Sequence, residues 1–138
     1  VVLGGLPFGV DVRAAREIVV IDRYTRVPLG PSHLLGVVNL RGTVVPLLDV
    51  RPRLGLPAGR PGGRMTALVV SPAAQPLAIA VEAVLGLESL GAPHPVTEAG
   101  RRAYGPYAAG LLPRGSAWIP LLDVRALVEV PPGGAAGG

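Results

Sequence analysis

Two aspartates, Asp49 and Asp123, stand 74 residues apart inside nearly the same octapeptide: residues 44–51 read VVPLLDVR and residues 118–125 read WIPLLDVR. Paired carboxylates on a duplicated unit could share a proton, as in acid proteases. That chemistry needs a small hydroxyl residue and a glycine after the aspartate. Val-Arg follows both Asp49 and Asp123. The simpler reading is that each aspartate caps a strand-to-helix junction, its carboxylate accepting from the free N–H groups of the first turn. The segments VRPRLG and VRALVE, which follow, have short helical spacing. The other chemical candidates are solitary. His33 and His94 have no second ligand at metal spacing, and both are expected to be solvated in Pro-containing loops. The glycines of GRPGGR lack the Lys-Ser/Thr that grips a nucleotide phosphate. Ser71 and Ser116 have no histidine nearby in sequence, and cysteine is absent. No catalytic residue, metal site or cofactor is expected.

Composition narrows the classes further. The 138 residues suit one domain with an aliphatic core, since 49% are hydrophobic but only 4% aromatic. No apolar run reaches the length of a membrane span, and no signal-peptide pattern is present, so a cytosolic protein without direct membrane insertion is expected. All thirteen basic residues are arginine, and nine of them lie in residues 1–70. The basic balance, with a pI near 10.6, raises nucleic-acid binding as an alternative function. Against it, the arginines are scattered and few aromatics are available to stack bases.

The elements that must position these residues are short strands. Apolar, β-branched runs are bounded by Gly, Pro or Asn, and turn signals recur every 8–12 residues. VVL and LPFGVDV, joined at Gly4-Gly5, predict a hairpin. LLGVVNL (34–40) and TVVPLLDV (43–50) predict another, with Arg41-Gly42 at its tip. RAAREIVVI (13–21) reads as a turn entering a strand, residues 91–106 as a long polar loop, and residues 57–63 as the internal boundary. Pro46 and Pro120 cannot donate a ladder hydrogen bond, so each belongs on an edge or at a bulge. The repeat spacing favours two similar small barrels packed together, roughly 1–60 and 64–130, with strand exchange between them possible and a disordered tail at 131–138.

The stretch GVVNLRGTVVPLLDVRPRLGLP (36–57) resembles the signature of the CheW family, the adaptor domain of bacterial chemotaxis arrays. The similarity extends to FGVDVRAAREIV and TRVPLGPSHLLG upstream, and to LAIAVEAVLGL and YAAGLLPRGSAWIPLLDVRALV downstream. It covers residues 1 to about 130. The resemblance implies an all-β fold of two SH3-like barrels side by side, with short helical turns, and no enzymatic activity. It implies an adaptor that couples the cytoplasmic tips of methyl-accepting chemoreceptors to the regulatory domain of a CheA-type histidine kinase, recruited to membrane-associated receptor arrays. The receptor-contacting positions carried over are Glu17, Gly36, Asn39 and Arg41. The kinase-contacting positions are Val12 and Ala15. Two departures stand out. Ala15 replaces a larger aliphatic residue, losing two to three methylenes at about 0.8 kcal/mol each, and Glu82 replaces an aspartate. A related alternative is the CheW-like regulatory domain of a larger kinase or receiver-fused protein.

Overall fold

A computed structural model describes residues 1–26, 33–57, 64–72 and 74–129. The strands are β1 (Val2–Leu3), β2 (Leu6–Pro7), β3 (Ala15–Ile21), β4 (Thr25–Arg26), β5 (Leu34–Leu40), β6 (Thr43–Leu48), β7 (Met65–Val70), β8 (Leu77–Val81), β9 (Ala108–Arg114) and β10 (Ala117–Leu122). The helices are α1 (Glu98–Tyr104) and α2 (Val124–Val128), with 3-10 turns at Arg51–Leu54 and Gly105–Tyr107. The expected tail at 131–138 and most of the expected loop at 57–63 lie outside the described residues.

β7 organises the molecule. Successive side chains of a strand point to opposite faces, and in β7 both faces are buried. Ala67 and Val69 enter one core while Leu68 and Val70 enter the other. β8 divides likewise, with Ala78 and Ala80 on one side and Ile79 and Val81 on the other. Leu47 and Leu48 at the end of β6 split the same way. These strands form a common wall between two barrel-like lobes, within a six-stranded sheet ordered β3-β7-β8-β6-β5-β4. The smaller core adds Ile21, Val38 and Val45. The larger adds Leu3, Phe8, Leu54, Leu122 and α2 residues Val124, Leu127 and Val128.

The larger lobe closes through the chain's first residues. β1 and β2 form the expected hairpin over Gly4 and Gly5, both with positive φ. Val2 N–H donates to Ala83 O at 2.8 Å, and Gly9 N–H donates to Pro120 O at 2.8 Å. Residues 1–9 thus bridge the end of β8 and the β9–β10 hairpin. Pro120 accepts there through its carbonyl, a role that needs no N–H from the proline. Pro46 pairs with Val37 of β5, while the parallel pairing of β6 with β8 involves only Leu47 and Leu48.

The two aspartates differ in what they hold. Asp123 caps α2, its Oδ1 accepting from Ala126 N–H at 3.1 Å. Asp49 does not cap in that way, because the residue before the following 3-10 turn is Val50. Its buried carboxylate instead accepts from Arg51 N–H at 3.1 Å and from the Arg51 guanidinium at 2.8 and 3.0 Å. Arg53 then ties the two repeats together, donating to Ala126 O and Leu127 O at 3.3 and 3.0 Å. The segment read as a long polar loop contains α1. Thr97 caps it through Gly100 N–H, and Tyr104 meets Phe8 edge to face at 5.6 Å. None of the α1 residues is buried, so no apolar period marks the helix in the sequence.

His33 corrects the expectation of a solvated ring: it is only 3% exposed. It directly precedes β5 and packs between Arg53 and the end of α2. Nδ1 lies 3.4 Å from Arg53 Nη2, and Nε2 lies 3.4 Å from Val128 O. A guanidinium only donates and a carbonyl only accepts, so the ring is neutral with its proton on Nε2. Burial, aided by the Arg53 charge, holds its pKa below the ordinary 6.5, against the opposing Val128 bond. The unfolded ring takes its proton near 6.5 and the folded ring only at lower pH. The stability that depends on a neutral His33 is complete above 6.5 and is lost as pH falls from there through the folded pKa. Urea midpoints of wild type should therefore drop between pH 7.5 and pH 5.5, and the drop should be smaller in His33→Gln. His94 is exposed, with its ring edge to face on Trp118 at 4.8 Å.

No helix among the described residues is long and apolar enough to cross a membrane. Among those residues no cluster of His, Cys, Asp or Glu has the geometry to hold a metal ion.

Candidate functional site

The β5–β6 hairpin turns through Arg41 (φ 51°) and Gly42 (φ 84°). Two consecutive positive φ angles match the right-handed twist of the flanking strands. Glycine takes such angles freely; an arginine there costs about 1–2 kcal/mol. Two contacts hold Arg41 in place. The Asn39 side-chain oxygen accepts from Gly42 N–H at 2.8 Å, bracing the turn. The Arg41 guanidinium forms an ion pair with Glu17 of β3, which ties the hairpin tip to the opposite edge of the sheet. The guanidinium remains 73% exposed, so the pair contributes little to stability. Its physical effect is to fix the direction of a charge at the tip. Beside it in sequence, Val44 and Ile18 are 65% and 55% exposed.

Of the four residues assigned to receptor contact, the structure thus brings together Glu17, Asn39 and Arg41. Gly36 is buried. A Cβ built on it would lie 2.1 Å from Thr25 O and 2.9 Å from the Tyr24 ring, so glycine is what allows β4 to close on β5. Gly36→Ala should destabilise the chain by about 1–3 kcal/mol through forced backbone displacement, read as a lower urea midpoint. Any loss of partner binding in that variant should track the loss of β4.

The two residues assigned to kinase contact lie at the start of β3. Val12 sits in the turn before the strand and is 59% exposed. Ala15 is half-buried, paired with Val70 and packed against the larger core, so its methyl is partly committed inside the molecule. Glu82 accepts from Gly5 N–H at 3.0 Å and lies 3.7 Å from Arg51, which makes it a brace of the β1–β2 turn.

The duplicated octapeptide places a comparable arrangement in the other lobe. Arg114, before Gly115 (φ 62°), pairs with Glu88 at 3.1 Å. Trp118, at the position equivalent to Val44, is 54% exposed. Spacing alone announces neither ion pair, because each joins segments far apart in sequence; Glu17 is among the positions the family resemblance implies, whereas Glu88 is not.

The family model for the CheW-like domain matches residues 1–132. The "Chemotaxis protein CheW" of Rhizobium meliloti is 37% identical over 82 residues, covering 59% of this chain and about half, 53%, of that protein. The "Probable chemotaxis protein CheW" of Rhizobium etli is 29% identical over 91% of this chain and 82% of its own length. Among solved structures, the scaffolding protein TtCheW from Thermoanaerobacter tengcongensis superposes with a TM-score of 0.72 at 24% identity, covering 89% of this chain and 85% of that one. The fold is all-β, with two SH3-like, barrel-like subdomains.

Proposed function

This chain belongs to the CheW-like domain family, and on that basis we propose that it is a non-enzymatic chemotaxis adaptor coupling receptors to a histidine kinase. The receptor-side contact is made by Arg41 with Glu17, on the turn that Asn39 braces, against the cytoplasmic tip of a methyl-accepting chemoreceptor. The kinase-side contact is made by the turn at Val12 and the start of β3, against the regulatory domain of a CheA-type kinase. The protein works in the cytoplasm and is recruited to receptor arrays through these contacts.

The observation that carries this reading is the oriented, solvent-facing guanidinium at the hairpin tip, with more-than-half-exposed Val44 three residues further along the same hairpin. A helical tip can lay an apolar stripe on such a surface and set its own charges against the rim. Each contact is small, and repetition across an array supplies avidity that a single contact lacks. The ion pairs Arg41–Glu17 and Arg114–Glu88 each hold an exposed charge in position, which suits recognition.

The test separates the two faces. Val12→Asp places a charge in an exposed apolar contact, and kinase regulatory-domain affinity should fall at least tenfold. Capture of a receptor-tip fragment should be unchanged. Undiminished kinase binding in this variant would move the kinase face elsewhere.

A further inference from the structure

β3 is the outermost strand of the six-stranded sheet on one side, paired only with β7 in that sheet. Among the described residues, no backbone partner reaches its other edge from Arg16 to Ile21. Proteins blunt such edges because an open row of N–H and C=O groups templates further pairing. Here the outward face does the opposite. Ile18 and Val20 are 55% and 56% exposed. They are bracketed by Arg16 and Asp22, which lie on the same face by strand alternation.

The order Arg16, Ile18, Val20, Asp22 is complementary to its own reversal. We propose that β3 pairs antiparallel with β3 of a second copy of this chain, about a two-fold axis at Val19. In that register each Ile18 stands opposite the partner's Val20 and each Arg16 opposite the partner's Asp22. An isologous contact needs this self-complementarity, in which i meets j and j meets i, and cross-strand apolar and opposite-charge pairs are the units that stabilise it. Arg16 Nη1 donates to Ser71 Oγ at 3.1 Å, and Asp22 lies 3.2 Å from Arg64; both are bonds to residues flanking β7, which the new contact must share or replace. The bulge in the β3–β7 register between Ala15 and Glu17 limits the regular contact to Glu17–Ile21, with the Arg16–Asp22 pairs as its ends. The two sheets would join into one of twelve strands.

A contact this short is weak, so the test is sedimentation equilibrium of the full chain up to about 1 mM, where a Kd in the millimolar range is still visible. The weight-average mass should rise from 14.1 kDa toward twice that value. Arg16→Asp sets Asp against Asp22, and Asp22→Arg sets Arg against Arg16. Each variant alone should stay monomeric, with an unchanged urea midpoint as the check on folding. An equimolar mixture of the two should dimerise, because every cross-strand pair is then of opposite charge. Ile18→Lys with Val20→Lys should be monomeric in every mixture. The proposal is overturned if wild type remains monomeric across the range, if either single charge variant dimerises like wild type, or if the mixture stays monomeric. It is also overturned if wild type is monomeric while Ile18→Lys loses a protein partner, since the edge then belongs to that partner.

Discussion

Arg41→Glu should weaken capture of a receptor-tip fragment by about 30-fold or more, the loss expected from a contact of about 2 kcal/mol or greater. The substitution reverses the charge of the one guanidinium that the β5–β6 turn and Glu17 jointly orient. It also sets two carboxylates against each other at the tip. Because position 41 is exposed, stability should shift by no more than about 0.5 kcal/mol, and kinase regulatory-domain binding should be retained. A second variant separates two roles of the ion pair. Glu17→Arg combined with Arg41→Glu restores an opposite-charge pair and so restores the latch between hairpin and β3. If the receptor reads the charges, binding stays lost in the double variant. If the pair matters only as a latch, binding returns. Both variants can be compared by surface capture at two salt concentrations, where a charge-reading contact weakens as salt rises.

Phe8→Ala should lower stability by about 3–5 kcal/mol, a large share of the roughly 5–15 kcal/mol that holds a typical domain together. Phe8 is the chain's single phenylalanine. It is 2% exposed and meets Tyr104 edge to face at 5.6 Å. It sits in the segment that closes the larger lobe, with its N–H donating to Val1 O at 2.8 Å. Its removal leaves a cavity where the first residues of the chain meet α1 and the β9–β10 hairpin. Trp118→Ala, at a site 54% exposed, should cost much less in the same urea titration. A Phe8→Ala midpoint near that of Trp118→Ala would mean that the amino-terminal strands do not close the lobe.

Much of this was legible from residue order where the cause is local. Gly4-Gly5 and Arg41-Gly42 mark turns because the backbone angles there favour glycine. Asp123 marks a helix start because a carboxylate satisfies free N–H groups. The repeated PLLDVR predicts two like units because identical residues at like positions face like surroundings. What was not legible is what distant segments decide. The parallel pairing of β6 with β8 joins Leu47 to Ala78 across a segment that includes the 3-10 turn and β7. His33 reads as a loop residue beside Pro31 and Ser32, yet tertiary packing against Arg53 and α2 buries it. α1 carries no apolar period because all of its residues are at least partly exposed and it contains Gly100. The capping signal was present in Thr97-Glu98. At the candidate site, Arg41 and Asn39 were visible as a hairpin tip, whereas the bond between Arg41 and Glu17 depends on the sheet curling back on itself.

In the proposed role one chain holds two partners at once and makes no covalent change to either. The most direct measurement immobilises a receptor-tip fragment and asks whether it retains the kinase regulatory domain. Retention is predicted only when this chain is added, and it should disappear with either Arg41→Glu or Val12→Asp. Retention without the chain, or equal retention with both variants, would contradict it.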